Sequence, residues 1–395
     1  MHDTPIHGTC APGFERVEEA FVENFRARGD VGAAVCVYLD GRAVVDLWGG
    51  YRDAARTAEW TADTIVTTYS NGKGWLATCM NMLLDRRVID LDTPVAHYWP
   101  AFAQHGKDRV LVRHALTHTA GLPAPSMRVP DEAIYDFEQM LEYVAASEPF
   151  WAAGAQMGYH AATFGWINGG VLRHATGMDP GEFLRREVAG PLGLDLYWGT
   201  APADDARTAT FLPPAPTPQA EPSRTQAQGQ LSDMHKKVFN NPPRRWRDAN
   251  TRQWRAAVIP ASNGHASARG LGRMYAAIGC GGSLDGVTLM SPASVLRACT
   301  EQAAGEDVIT GGYVRRGLGF ALPAPGTEEA QQGPSAFGHG GLGGSHGFAD
   351  ADHRLGFGYV MNQAGPNVDL RYPSLRRAVY ASLAALPAQA MRARA

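Results

Sequence analysis

Ser70 and Lys73 stand three residues apart in the stretch TTYSNGKGWLATCMNMLL, residues 67–84. On a helix that spacing puts a hydroxyl and a primary amine on one face, with Cβ atoms roughly 5–6 Å apart, close enough to exchange a proton. The chemistry open to such a pair is nucleophilic acyl transfer: an amine held neutral takes the hydroxyl proton as the oxygen attacks a carbonyl carbon. A helix N-terminus disfavours an ammonium and favours developing negative charge, and a partly desolvated lysine gives up its proton readily. Of the chain's 36 basic residues only Lys73, Lys107, Lys236 and Lys237 are lysines. A chain that meets nearly every need for positive charge with arginine therefore uses a titratable cation beside Ser70. On these two residues alone the plainer reading, a capping serine and a solvated first-turn charge, stays open.

Other residues compete for a chemical role. Tyr159, in QMGYHAATFGW, sits at a loop–helix junction, where a phenol is usually buried with its hydroxyl satisfied. The segment FGHGGLGGSHGFAD (337–350) has glycine at six of fourteen positions, a density that lets backbone N–H groups approach a ligand closely and donate to an oxyanion. Within it, Gly343-Gly344-Ser345-His346-Gly347 matches a nucleophile-elbow pattern. That elbow needs a strand, a sharp turn and a helix, whereas GFADADHRLGFGYVMN reads as two strands, so Ser345 is taken as a chance match. His114 and His118, four apart, lack the glutamate and third ligand of a zinc site and are read as a structural pair. The basic run Arg244-Arg245-Trp246-Arg247 is read as a solvated arm and not an anion site. No phosphate-cradling loop or dinucleotide glycine motif is present, so no cofactor and no metal are expected.

These residues need elements to position them. Trp75, Leu76, Cys79, Met80, Leu83 and Leu84 recur at helical spacing, predicting a buried helix from about Ser70. Residues 12–28 predict an amphipathic helix, and two apolar runs around Asp40-Gly41 predict a hairpin. Helices are predicted at 110–118, at 131–146 with Asp131 as cap, at 161–177, 180–190 and 266–279, and a last one at about 370–386 running into a frayed Arg/Ala tail. Strands are predicted at 318–322, 346–352 and 355–362. The Pro-, Gln- and Arg-rich stretch at about 201–260 is too polar for core and too long for a loop, so it reads as a lid, arm or insertion. Strands near both ends around a helical middle predict an α+β fold: an antiparallel sheet flanked by helices, built from 1–84 and 262–395, with a mostly helical domain, 85–261, inserted.

Composition bounds the function. The net charge of −3 gives no electrostatic case for nucleic acid or an anionic membrane, no apolar run reaches a membrane span, and the N-terminus lacks a signal core. A cytoplasmic protein acting on a small molecule is expected; the oligomeric state is not legible. The five scattered cysteines read as reduced, with neither disulfide framework nor metal spacing.

Ser70-Asn71-Gly72-Lys73, Tyr159-His160-Ala161 and His339-Gly340-Gly341, with LTHTAGLP (116–123), VAGPLGLD (188–195) and GHGGLGGSHGFADADHRLGFGYVMN (338–362), occur in the order and broad spacing of a known family. Over about 12–385 the chain resembles the serine β-lactamase-fold hydrolases, related to class C β-lactamases and penicillin-binding proteins and most of all to family VIII carboxylesterases. The resemblance implies Ser70 as nucleophile, Lys73 as its base, Tyr159 as activator and proton shuttle, and the backbone N–H groups of Ser70 and Leu342 as oxyanion hole. It places His160, Ala161, His339, Gly340 and Gly341 along the substrate. Two departures stand out: Ala161 replaces the asparagine of Tyr-x-Asn, and His339 replaces the lysine of Lys-Thr-Gly. An unperturbed histidine is mostly neutral at pH 7, charging near pH 6. Both departures point to small neutral acyl esters, hydrolysed through an acyl-enzyme. The alternatives are acyl transfer to another acceptor, an amidase or weak β-lactamase, and a sensor that is acylated without turnover.

Overall fold

A computed structural model of the chain describes residues 4–215, 233–366 and 368–386. The middle of the 201–260 stretch and the Arg/Ala tail beyond 386 lie outside the described residues.

Nine strands form one antiparallel sheet in the order Ile6–Cys10, Arg42–Gly50, Gly32–Leu39, Leu355–Met361, His346–Asp350, Ala336–Gly340, Ala321–Leu322, Tyr313–Arg316 and Ala303–Glu306. The hairpin forms where Asp40-Gly41 predicts it, both residues having positive φ (49° and 77°), as a tight turn matched to strand twist requires. Its second strand pairs with Ile6–Cys10 and its first with Leu355–Met361, so the two ends of the chain meet in the middle of the sheet.

Alternation along the central strands sets what each face carries. Gly356 and Gly358 face the helix Ala268–Gly279, and a Cβ at Gly356 would lie 2.2 Å from Ala276 N. The intervening Phe357 points the other way, its ring 5.8 Å from that of Tyr372 in the helix Arg371–Ala385. Period-two patterning thus lets one helix lie almost on the strand backbone and sends aromatic rings to the opposite layer. The helices Glu15–Ala27 and Arg371–Ala385 pack together on that second face. The buried Asp30–Arg371 ion pair (2.7 Å) closes it, with Tyr359 donating to Asp30 at 2.7 Å.

The predicted helix at 70–84 is Gly72–Asp85, buried from Gly72 to Leu84. Polar side chains on a helix that is buried all round are mostly hydrogen-bonded, and here Thr78 donates to Gly74 O and Asn81 to Ala77 O and Leu318 O. It packs against the helix Thr163–Thr176 and reaches the strand Ala336–Gly340. Other expectations are corrected. Residues 131–146 divide into a 3₁₀ turn, Asp131–Tyr135, and a helix, Phe137–Ala146, whose cap is Asp136, not Asp131. The helix at 110–118 ends at Leu116, because His118 has φ 61°. Of 318–322 only Ala321–Leu322 is strand, Gly319 having φ 85°. A small sheet of Val66–Tyr69, Gly264–Ala266 and Leu196–Tyr197 lies just ahead of Ser70. Among the described residues, no helix is long and apolar enough to cross a membrane.

Candidate active site

Ser70 lies one step past the strand Val66–Tyr69, and the turn between strand and helix aims it. Tyr69 has φ 47°, an unusual conformation for an aromatic residue and of the kind that concentrates at functional sites. Packing holds it there: its ring meets those of Phe211, Trp246 and Trp254 at 5.1, 5.9 and 6.0 Å. The following residue is thereby turned into a cleft of about 400 Å³.

Two groups reach the Ser70 hydroxyl. Lys73 Nζ lies 3.1 Å from Oγ, and the Tyr159 hydroxyl donates to Oγ at 3.0 Å. Lys73 is fully buried and its amine also donates to the carbonyls of Ala161 (2.7 Å) and Ala261 (3.1 Å). Burial, followed by the charges of Arg244 and Arg316, holds its pKa well below the ordinary lysine value. A neutral amine has two N–H groups and one lone pair, and this pocket supplies two carbonyl acceptors and one hydroxyl. The arrangement is therefore complete with the Ser70 proton pointing at Nζ. Burial pushes the Tyr159 phenol up, outweighing the Ser70 hydrogen bond and the charges of Arg316 and Arg244, so it stays a donor.

Tyr159 is positioned through its backbone. Its N–H donates to Asp307 Oδ1 at 3.1 Å, and the same oxygen accepts from Ile309 and Thr310, so one carboxylate ties the Tyr159 segment to the 307–311 loop. His160, expected along the substrate, is turned away from the cleft. Its Nδ1 donates to Gly158 O at 2.6 Å and its Nε2 accepts from Leu122 N–H, which uses both ring nitrogens on backbone. Burial lowers it to about 4. Ala161 lines the cleft and gives Lys73 its carbonyl. His118 is buried behind Tyr159, stacked on Phe164 and accepting from His160 N–H. His114 accepts from Leu111 N–H, and the two histidines share no ligand. Among the described residues, no group of three or more His, Cys, Asp or Glu side chains could hold a metal.

Gly340, Gly341 and Leu342 form the facing wall. A Cβ at Gly341 would lie 2.0 Å from Thr68 O, so only glycine lets this loop close on the Ser70 strand. Gly341 N–H is taken by Ser345 O at 2.8 Å, and Leu342 N–H has no partner among the described residues. The Ser345 hydroxyl is buried, accepting from Asn71 Nδ2 (2.9 Å) and donating to Thr68 O (3.2 Å), and a strand, not a helix, follows it. It is a strut of the loop. His339 is buried with its ring against Tyr159, 6.3 Å between centroids, and its Nδ1 donates to Gly340 O at 2.6 Å. Burial, then the charges of Lys73 and Arg316, lower its pKa well below the usual histidine value. Burial thus works against protonating His339 as the pH falls toward 6, and at neutral pH the site presents a neutral ring there, in line with the reading of an uncharged residue at 339.

The remaining wall comes from the 201–260 stretch, read from its polarity as a solvated arm. Phe239, Arg244 and Trp246 line the cleft. Arg245 and Arg247 do face outward, pairing with Asp131 and Asp248, but Arg244 turns in. Arg316, buried with its guanidinium 5.9 Å from the Tyr159 ring centroid, was not singled out either. Nothing local distinguishes these arginines from the thirty others, since only the tertiary fold sets their direction.

Residues 14–382 match the Beta-lactamase family. Over 381 residues the chain is 35% identical to the esterase/beta-lactamase LipL of Mycobacterium tuberculosis, an alignment spanning 92% of this chain and 85% of LipL. A solved family VIII carboxylesterase superposes with a TM-score of 0.89 at 38% identity, covering 96% of this chain and 100% of the other. A penicillin-binding protein homologue from Caulobacter crescentus does so with a TM-score of 0.87 at 34% identity, over 96% and 100%. The chain therefore belongs to the beta-lactamase family, as a serine hydrolase of the esterase/beta-lactamase kind.

Proposed function

We propose that the chain is a carboxylesterase that hydrolyses small acyl esters through an acyl-enzyme on Ser70. The observation that carries this reading is the pair of contacts on the Ser70 hydroxyl: a lysine amine at 3.1 Å, its pKa held well below the ordinary lysine value, and a phenol at 3.0 Å. Lys73 takes the Ser70 proton as Oγ bonds to the ester carbonyl carbon. The N–H groups of Ser70 and Leu342 are the donors we assign to the developing oxyanion. On collapse the C–O bond to the alcohol breaks, and the alkoxide leaves with a proton delivered through Tyr159 and replaced from the Lys73 ammonium. In the second half-reaction water gives a proton to the same amine and its oxygen bonds to the acyl carbon. Breakage of the C–Oγ bond then returns that proton to Ser70. Atoms and protons balance without a cofactor.

The choice of esters over β-lactams rests on two positions. Ala161 has no side-chain amide, and His339 is buried and neutral, so nothing at 339 attracts a substrate carboxylate. A fluorophosphonate probe should label one residue, Ser70, located by peptide mass spectrometry, and Ser70→Ala should remove the label. Lys73→Ala and Tyr159→Phe should each lower kcat/KM for a short p-nitrophenyl ester by at least about 100-fold, the scale of lost acid–base help. Near-normal turnover by Ser70→Ala would overturn the reading.

A further inference from the structure

Among the described residues, one cation in the cleft wall has no counter-ion. Arg244 donates from Nη2 to Val238 O at 3.1 Å and lies over the Phe239 ring, 6.0 Å from Cζ to the centroid. Among the described residues no carboxylate lies within 4 Å of it, whereas Arg245 and Arg247 in the same run both have acid partners. Its Nε and Nη1 have no hydrogen-bond partner among the described residues. Burial lowers its pKa to about 10, which leaves it charged at neutral pH.

The placement is built. Asn241 accepts from Val129 N–H (3.0 Å) and donates to Pro125 O (3.1 Å) and Met127 O (2.7 Å), stitching the segment to the 125–129 loop. Trp246 stacks on Phe211 at 5.6 Å and 10°, fixing the other end. Between those anchors Arg244 is held in a wall that it shares with Tyr69, Phe239, Trp246, Ser70 and Tyr159. Withdrawing a guanidinium from water without an ionic partner is unfavourable, and a bound anion would offset the cost. Burial disfavours the charged forms of Lys73 and His339, and neither side chain is among those lining the cleft with Arg244.

We propose that the cleft takes esters that themselves carry a carboxylate, and that Arg244 is the residue that holds it. The planar guanidinium has N–H groups on Nε and Nη1 with no partner among the described residues, and such a group donates a charge-assisted hydrogen bond to a carboxylate. Among the described residues one guanidinium without a carboxylate partner stands in a wall whose other lining side chains are uncharged, which suits a monoanion and not a phosphate dianion. The expectation of neutral esters rested on positions 161 and 339; Arg244 puts a cation on a different wall. This proposal rests on the esterase reading and names its substrate class.

The carboxylate can sit on the acyl half or the alcohol half, and two matched pairs separate these. The acyl pair is mono-p-nitrophenyl glutarate against p-nitrophenyl valerate. The alcohol pair is para-acetoxybenzoate against para-acetoxybenzamide. The quantity measured is the ratio of kcat/KM for the anionic member to that for the neutral member, since Arg244 also bears on Lys73 and so on both members alike. In at least one pair Arg244→Met should lower the ratio by about tenfold or more, the weight of one charge-assisted contact. Arg244→Lys should lower it less. A ratio unchanged in both pairs, or both members falling together in both, would overturn the carboxylate site.

Equilibrium binding to Ser70→Ala protein, measured by calorimetry, reads the same preference without turnover or any change at Arg244. Tighter binding of the anionic member in the responding pair supports the proposal, and equal affinity in both pairs overturns it. Wild-type protein that turns over no member of either pair would sink the esterase reading instead, and the binding preference would still decide the carboxylate site.

Discussion

Replacing Arg316 by glutamine should make the enzyme more sensitive to acid, and the structure gives the size of the effect. Lys73 Nζ and Arg316 Cζ lie 4.9 and 5.9 Å from the Tyr159 ring centroid, so they are within about 11 Å of each other. At an effective dielectric of about 20, two unit charges at that separation repel by about 1.5 kcal/mol. That repulsion acts only on the ammonium form of Lys73, so it favours the neutral base. Removing the Arg316 charge stabilises the ammonium. At a fixed pH on the acid side the neutral fraction, and with it kcat/KM, should fall by about tenfold. The acidic limb of the profile then moves to higher pH, while plateau rates differ less. Arg316→Lys keeps a positive charge and should return the limb most of the way. The assay is kcat/KM for one uncharged ester from acid to neutral pH, with product quantified by chromatography so that detection is independent of pH. A limb that stays put or moves to lower pH in Arg316→Gln would show that Lys73 is not the group whose deprotonation gates the reaction.

Two further outcomes test the division between chemistry and support. Ser345→Ala removes the acceptor for Asn71 and the donor to Thr68 O; denaturant unfolding should show a loss of about 1–3 kcal/mol with most esterase activity kept, and a loss as deep as that of Ser70→Ala would make Ser345 the nucleophile. Lys107 is as buried as Lys73 but donates to the carbonyls of Gln104, Ala145 and Ser147, and the Ser147 hydroxyl is committed to Tyr143 O and Ser126 N–H. Lys107→Met should lower stability by roughly 1–3 kcal/mol for each carbonyl left unpaired and leave kcat/KM within about twofold; a catalytic collapse in folded protein would refute its assignment as a tie.

What could be read from the sequence was what is local. Ser70 and Lys73 are one helical turn apart, so their meeting needs no knowledge of the fold. The Asp40-Gly41 hairpin was equally legible, because both turn residues must adopt positive φ and those residue types tolerate it. Tyr159 is different: it meets Ser70 across 89 residues, and only resemblance to a family connects them. The edge strand Ile6–Cys10 was missed because its partner is about forty residues away and its middle is exposed. Leu318 to Leu322 read as one strand, but the turn at Gly319 leaves two residues, which pair with Arg315 and Arg316 on one side and through Ala321 with Gly338 on the other. Arg244 was misread for a physical reason. Polarity forecasts whether a segment is wet on average, whereas direction belongs to each side chain, and Arg244 points opposite to Arg245. Asp307 carried no signal at all, since its role is to receive three backbone N–H groups that the fold delivers.

The two carbonyls that receive the Lys73 amine lie 88 and 188 residues downstream. Until those segments have docked, Lys73 belongs to a solvated stretch of chain, where a lysine titrates near pH 10.4 and cannot take a proton from serine at neutral pH. On the proposed role of Ser70, the nascent nucleophile is therefore inert until the segments carrying Ala161 and Ala261 have been made and docked. Its reactivity switches on with the completion of tertiary structure and not with the appearance of the residue itself. Covalent labelling of Ser70 thus becomes a clock for assembly: the time at which a refolding chain first accepts a phosphonate marks the arrival of Ala161 and Ala261. Partly folded molecules are spared acylation by the same device.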